Sequence, residues 1–110
     1  MLELALRGDF LIATALAHVC LAAALTAHEG QHVVDQRSGI PQHGLANTIA
    51  EETRAFTTQS YVNQSLGVKS AYGIWDPSWP ADKAEANRQS AVSDVAKQDA
   101  EDECKDHGCL

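Results

Sequence analysis

Ala27-His28-Glu29-Gly30-Gln31-His32-Val33-Val34-Asp35 is the stretch on which the rest of the chain turns. It continues, without a break in composition, an uncharged run from Phe10 to Ala27 in which alanine and leucine, both strong helix formers, dominate. A helix carried through from that run places His28 and His32 four residues apart on one face. Two imidazoles at that spacing can reach a single zinc ion at ~2.0–2.1 Å. Glu29, rotated away from His28, is set to take a proton from a water that the metal acidifies. Two histidines and a glutamate on the continuation of an apolar helix are costly unless they are paired or metal-bound.

Outward from this stretch the sequence predicts a mainly α fold. The first helix is expected from about Asp9, as N-cap, to Gln36, with Gly30 as its weakest point. Gly39, Pro41 and Gly44 mark a loop over 37–45. A second helix is expected from about Asn47 to Leu66, ended by Gly67, with Leu45, Ile49, Thr53, Phe56 and Ser60 near one face and Asn47 or Thr48 as cap. The short loop lets the two helices pack antiparallel. Residues 67–81 hold Tyr72, Trp75 and Trp79, which either cover the core or line a groove, in a loop or short strand. A third helical stretch follows from Asp82 to about Glu103, with a thin apolar face (Ala84, Ala91, Val92, Val95, Ala96) and an acidic end. The chain thus divides into a metal-binding core over 1–81 and a solvated acidic helix or tail over 82–110, with little or no sheet.

A catalytic zinc site needs a third protein ligand and an open fourth position. The candidates are Asp35, His43, Glu51 and Glu52. Asp35 lies three residues past His32 and could instead orient an imidazole. Glu51 and Glu52 would come from the second helix, where first-turn carboxylates also complement the helix dipole.

His28-Glu29-Gly30-Gln31-His32, together with Glu52-Thr53-Arg54-Ala55-Phe56, resembles the HExxH zinc metallopeptidases of the gluzincin type, in a minimal form covering about residues 20–66. The resemblance implies His28, His32 and Glu52 as zinc ligands and Glu29 as the general base. It implies Ala55 as the small residue that lets the helices approach, and a peptide or protein as substrate. It leaves Glu51 as a substitute for Glu52. Larger members carry a sheet before the metal helix, for which this sequence has no convincing strand. Tyr61 and Tyr72 are the side chains available to stabilise an oxyanion. The alternative is a non-catalytic helical module with a structural metal, closed by Asp35 or His43, or with a partner-binding role.

Composition bounds the rest. The 110 residues carry 8 Lys+Arg against 15 Asp+Glu, a net charge of -7, which argues against a nucleic-acid partner. Aromatic residues are only 5%, so the core is short of large side chains, and the alanine-rich helix leaves apolar surface on which a second copy could pack. Glu3 and Asp9 around a single Arg7 do not make a convincing signal peptide, which is compatible with a cytoplasmic protein or export by a non-classical route. His18, two threonines and many alanines make the 10–27 run a poor membrane span, and a buried helix is expected instead. Cys20 reads as a buried thiol. Cys104 and Cys109 read as a disulfide or as free thiols, with a zinc site at Cys104, His107 and Cys109 disfavoured for want of a fourth ligand.

Overall fold

A computed structural model of the chain describes residues 2–41 and 43–109, with the side chains of the first helix described at Leu16 and from His18 onward. Three helices follow one another: α1 (Leu2–Arg37), α2 (Leu45–Leu66) and α3 (Ala84–His107). No strand occurs among the described residues. The pairs that cross between helices define their directions. His28 meets Gln59, Gln31 meets Thr58, and His32 meets Glu51, so α2 runs antiparallel to α1. Arg88 reaches Gln64 at one end of α3 and Cys109 reaches Thr48 beyond the other, so α3 is antiparallel to α2. The central helix is α2, which packs against both neighbours.

α1 is longer than expected. The backbone is already helical at Leu2, which puts Asp9 inside the helix rather than at its cap. Gly30 does not break it. Glycine costs about 1 kcal/mol in a helix interior, and the side chains of His28, Gln31 and His32 around Gly30 all bond across to α2. The expected burial of the 10–27 run is not found where side chains are described. Leu16, Val19, Leu21 and Leu25 are exposed, Cys20 is half-buried, and Ala24 is the first buried side chain among those described. Length explains this. At about 1.5 Å per residue, α1 with its 36 residues outruns the 22 of α2 by roughly 20 Å, and among the described residues no other helix packs against the excess. Among the described residues no helix is long and apolar enough to cross a membrane.

α2 starts at Leu45 with Gly44 as its N-cap, so neither Asn47 nor Thr48 caps it. Their side chains bond back to the carbonyls of His43 and Gly44. Its end at Gly67 is as expected: φ of 67° is left-handed backbone that glycine adopts without strain, and the Gly67 N–H closes on Asn63 and Gln64. The buried positions are Thr48, Glu52, Ala55, Phe56, Gln59, Ser60 and Asn63, whereas Leu45 is exposed and Ile49 and Thr53 are half-buried. The expected face is found at Phe56 and Ser60 but not at Leu45, Ile49 and Thr53, because α2 turns Glu52 and Gln59 toward α1 and pairs them with its histidines.

The apolar core is small: Phe56, Ile74, Val92 and Ala96, flanked by Ala91 and Val95. Ile74 comes from the 67–83 connection, where the Ser70 N–H bonds to the Trp75 carbonyl and the Ser70 hydroxyl accepts from the Trp75 N–H. α3 lies along α2 with Arg88, Val92, Ala96 and Ala100 buried and its acidic face in solvent. The Arg88 guanidinium stacks 3.7 Å from the Tyr61 ring and 4.7 Å from the Trp75 ring, so a buried cation is held between two aromatic faces. Cys104 and Cys109 form a disulfide across the end of α3. Ile74→Ala should lower unfolding stability by about 2–5 kcal/mol, as for an aliphatic core side chain emptied to a cavity. Urea denaturation measures it, and a loss near zero would mean that the connection is not part of the core.

Candidate metal centre

α1 supplies His28 and His32, one turn apart, and α2 supplies Glu52. The two Nε2 atoms are 3.1 Å apart, His32 Nε2 is 3.0 Å from Glu52 Oε1, and His28 Nε2 is 3.3 Å from Glu52 Oε2. The protonation of the rings follows from what lies on their far sides. His28 Nδ1 is 2.9 Å from Gln59 Oε1, and His32 Nδ1 is 3.0 Å from Glu51 Oε1. Both partners are acceptors, so each Nδ1 donates its hydrogen and each neutral Nε2 is left with a lone pair. Two lone pairs and a carboxylate then face one point. Glu52 Oε2, fully shielded from solvent, has no well-formed hydrogen bond. Such a trio repels itself unless a proton or a cation sits among its members. Four ligands at ~2.0–2.1 Å in tetrahedral array are roughly 3.3 Å from one another, and the three separations here are of that size. The donor set fits a zinc-like ion, with Gln59 and Glu51 setting the ring orientations that metal-bound histidines commonly require.

The other ligand candidates are elsewhere. Asp35 is buried, but it accepts from Arg54 Nε at 2.8 Å and from Gln31 Nε2 at 3.0 Å, and Gln31 in turn accepts from Thr58. It ties the two helices together one turn beyond the histidines. His43 is exposed on the loop after α1. Glu51 holds a ring rather than completing the trio. Ala55 is fully buried, and Phe56 sets its ring edge-on to His28 at 4.5 Å between centroids.

The trio opens on a cleft of about 580 Å³, and Glu29 lines it with an exposed side chain. Tyr72 lines the cleft as well, whereas Tyr61 is occupied by Arg88. The opposite wall belongs to α3, through Asp99, Glu103 and His107. Sequence reasoning missed Gln59 and this wall. The signal for Gln59 was its position seven residues after Glu52, on the same face of α2. The signal for the wall was the three- and four-residue spacing of the acids from Asp99 to Asp106. Cys104 and Cys109 pair with each other, which removes them as ligands beside His107.

Charge at the site follows the same geometry. Burial lowers the His28 pKa, but the bond to Glu52 and the Glu52 charge outweigh it, and the net shift is upward from 6.5. Burial raises Glu52, and its bonds to His28 and Asp99 with the charges of His32 and His28 more than reverse it, so its carboxyl lies below 4.5. Burial and then the neighbouring Glu52 push Asp99 up to about 6. Burial and the Glu52 charge raise Glu103 too. Comparison of the chain with protein-family models, with curated proteins and with solved structures finds no match.

Two outcomes are expected. Asp35→Ala should cost roughly 1–3 kcal/mol, the penalty for leaving bonded partners unpaired, and leave metal content unchanged; loss of metal would make Asp35 a ligand. In metal-free protein, His28 and Asp99 hold their protons more tightly folded than unfolded, so they contribute stability at low pH and lose it as pH rises. Glu52 does the opposite, losing its contribution as pH falls below 4.5. Metal-free stability should therefore peak near pH 4.5, decline toward about 6 as folded Asp99 gives up its proton, a decline that is shallower in Asp99→Asn, and decline again above 6.5 as His28 does. Denaturation midpoints across pH measure this, and a maximum near pH 8 would contradict it.

Proposed function

We propose that the chain is a zinc-dependent hydrolase, specifically a metallopeptidase acting on peptide or protein substrates. The observation that carries this is the convergence of His28 Nε2, His32 Nε2 and Glu52 on one point with both Nδ1 atoms already committed to Gln59 and Glu51. The resemblance of His28–His32 and Glu52–Phe56 to gluzincin motifs supports the same residues in the same roles.

When bound, zinc supplies a Lewis acid and makes water acidic enough to react near neutral pH. His28, His32 and Glu52 would hold it beside the cleft that all three line. Glu29, which lines the same cleft, would take a proton from the attacking water and pass it to the leaving amine. Tyr72 is the hydroxyl on the cleft that can donate to the oxyanion. A non-catalytic module with a closed structural zinc needs a fourth protein ligand. Asp35 is committed to Arg54 and Gln31, and His43 faces solvent, so neither closes the site.

Glu29→Gln should retain one zinc per chain and lose peptide hydrolysis by about 10²–10⁴-fold, the usual contribution of a general base. His32→Ala should lose the zinc itself. Elemental analysis beside a peptide-cleavage assay checks both. Wild-type protein that takes up no zinc, or a Glu29→Gln variant as active as wild type, rejects the proposal.

A further inference from the structure

The outer side of α1, turned away from α2, is uncharged and uncovered. Ala24, His28 and Asp35 mark the buried side of the helix. Leu16, Val19, Ala23, Thr26, Gly30 and Val33 lie on the opposite side, alternately three and four residues apart, and all six are exposed. Leu16 is 60% exposed and Val19 64%. That alternation is the seam by which one helix pairs with another. Among the described residues α1 packs against α2 and not against α3, so the seam has no helix of its own chain beside it. Glu29 is the one charged residue between Leu16 and Val33, and it lines the cleft.

The order of sizes along the seam points to a second copy as the occupant. Gly30 serves no turn, and a Cβ added to it would meet nothing within 4 Å. Glycine is a poor residue for a helix interior, so within one chain its place is unexplained. An antiparallel copy centred between Ala23 and Thr26 explains it. Leu16 then meets Val33 of the second copy, Val19 fills the space over Gly30, and Ala23 meets Thr26. A two-fold axis repeats each pair in reverse. A parallel copy would set Gly30 on Gly30 and leave a hole. Charge agrees, because a chain of net charge -7 repels its like over most of its surface, and this seam carries none of that charge. Area agrees too. At 1.5 Å per residue the stretch from Leu16 to Val33 is about 27 Å long, and half the surface of a helix that long is roughly 500 Å². Two copies remove roughly 1,000 Å² from water, the lower bound of a specific interface.

We propose that the outer face of α1 is the interface of an antiparallel two-fold dimer of this chain, one weak enough to dissociate on dilution. The inference lies outside the hydrolase proposal and does not depend on zinc.

Sedimentation velocity of the whole chain from about 1 to 200 μM should show monomer giving way to dimer. Val19→Asp, which buries a charge in the seam, should weaken the dimer about tenfold or more. Gly30→Ala should raise the helix content and melting temperature of the monomer, yet weaken the dimer by about tenfold because its methyl takes the space of Val19. A Gly30→Ala chain that dimerises as tightly as wild type overturns the proposal. Leu45→Asp makes a similar change at an exposed position off the seam and should leave association intact. Equal loss there would assign association to general apolar contact and overturn the seam. In a Cys20→Ser background, mixed Leu16→Cys and Val33→Cys chains should cross-link to each other on oxidation faster than either does to itself. Self-linking of each chain alone would mean parallel pairing and overturn the antiparallel register. Wild type that stays monomeric throughout rejects the dimer, and co-sedimentation of that monomer with phosphatidylcholine vesicles would assign the face to a lipid surface instead.

Discussion

Two imidazole lone pairs and a buried carboxylate aimed at one point form the constraint around which α1 and α2 are assembled. Each group alone is easily accommodated on a helix. Together they are held in place because the outer nitrogens of both rings and the carboxylate of the next turn are committed. Gln59 and Glu51 hold the outer nitrogens, Phe56 closes against the His28 ring, and Asp35 with Arg54 fixes the next turn of the hairpin. α2 gives up an apolar face toward α1 to do this, and the hairpin is joined by polar pairs more than by hydrophobic burial.

That exchange shifts the apolar core to the other side of α2. Phe56, Ile74, Val92 and Ala96 meet there, with the connection between α2 and α3 folded in as the missing layer. Arg88, stacked between Tyr61 and Trp75, extends this layer with a cation in place of a large apolar residue. A chain with so few aromatics therefore uses Phe56 twice, once to fill the core and once to seat a site histidine.

The legible parts were those that depend on local spacing. The His28–His32 pair, the hairpin and the Gly67 stop each follow from residues within a few positions of one another, and the small buried Ala55 followed Glu52 on a short motif. The parts that escaped depend on distant register. Gln59 serves His28 from 31 positions away, and nothing near either residue announces the pairing. The buried face of α2 was located only at Phe56 and Ser60, because apolar periodicity cannot find Thr48, Glu52, Gln59 and Asn63. The exposure of Leu16, Val19, Leu21 and Leu25 was missed because the composition of 10–27 suits burial, while burial requires a neighbour alongside.

The disulfide between Cys104 and Cys109 bears on how permanent the cleft is. It ties the residue after Gly108 back to the last turns of α3 and leaves Cys109 beside Thr48, at the start of α2. Helix ends fray first, and here the end is latched over the turn that carries Asp106 and His107. In an oxidising compartment that latch endures, and in a reducing one it opens. Amide exchange in the final turn of α3 would then be slow in the oxidised chain and fast in the reduced one, so the acidic wall has a lifetime set by the surroundings rather than by its own packing.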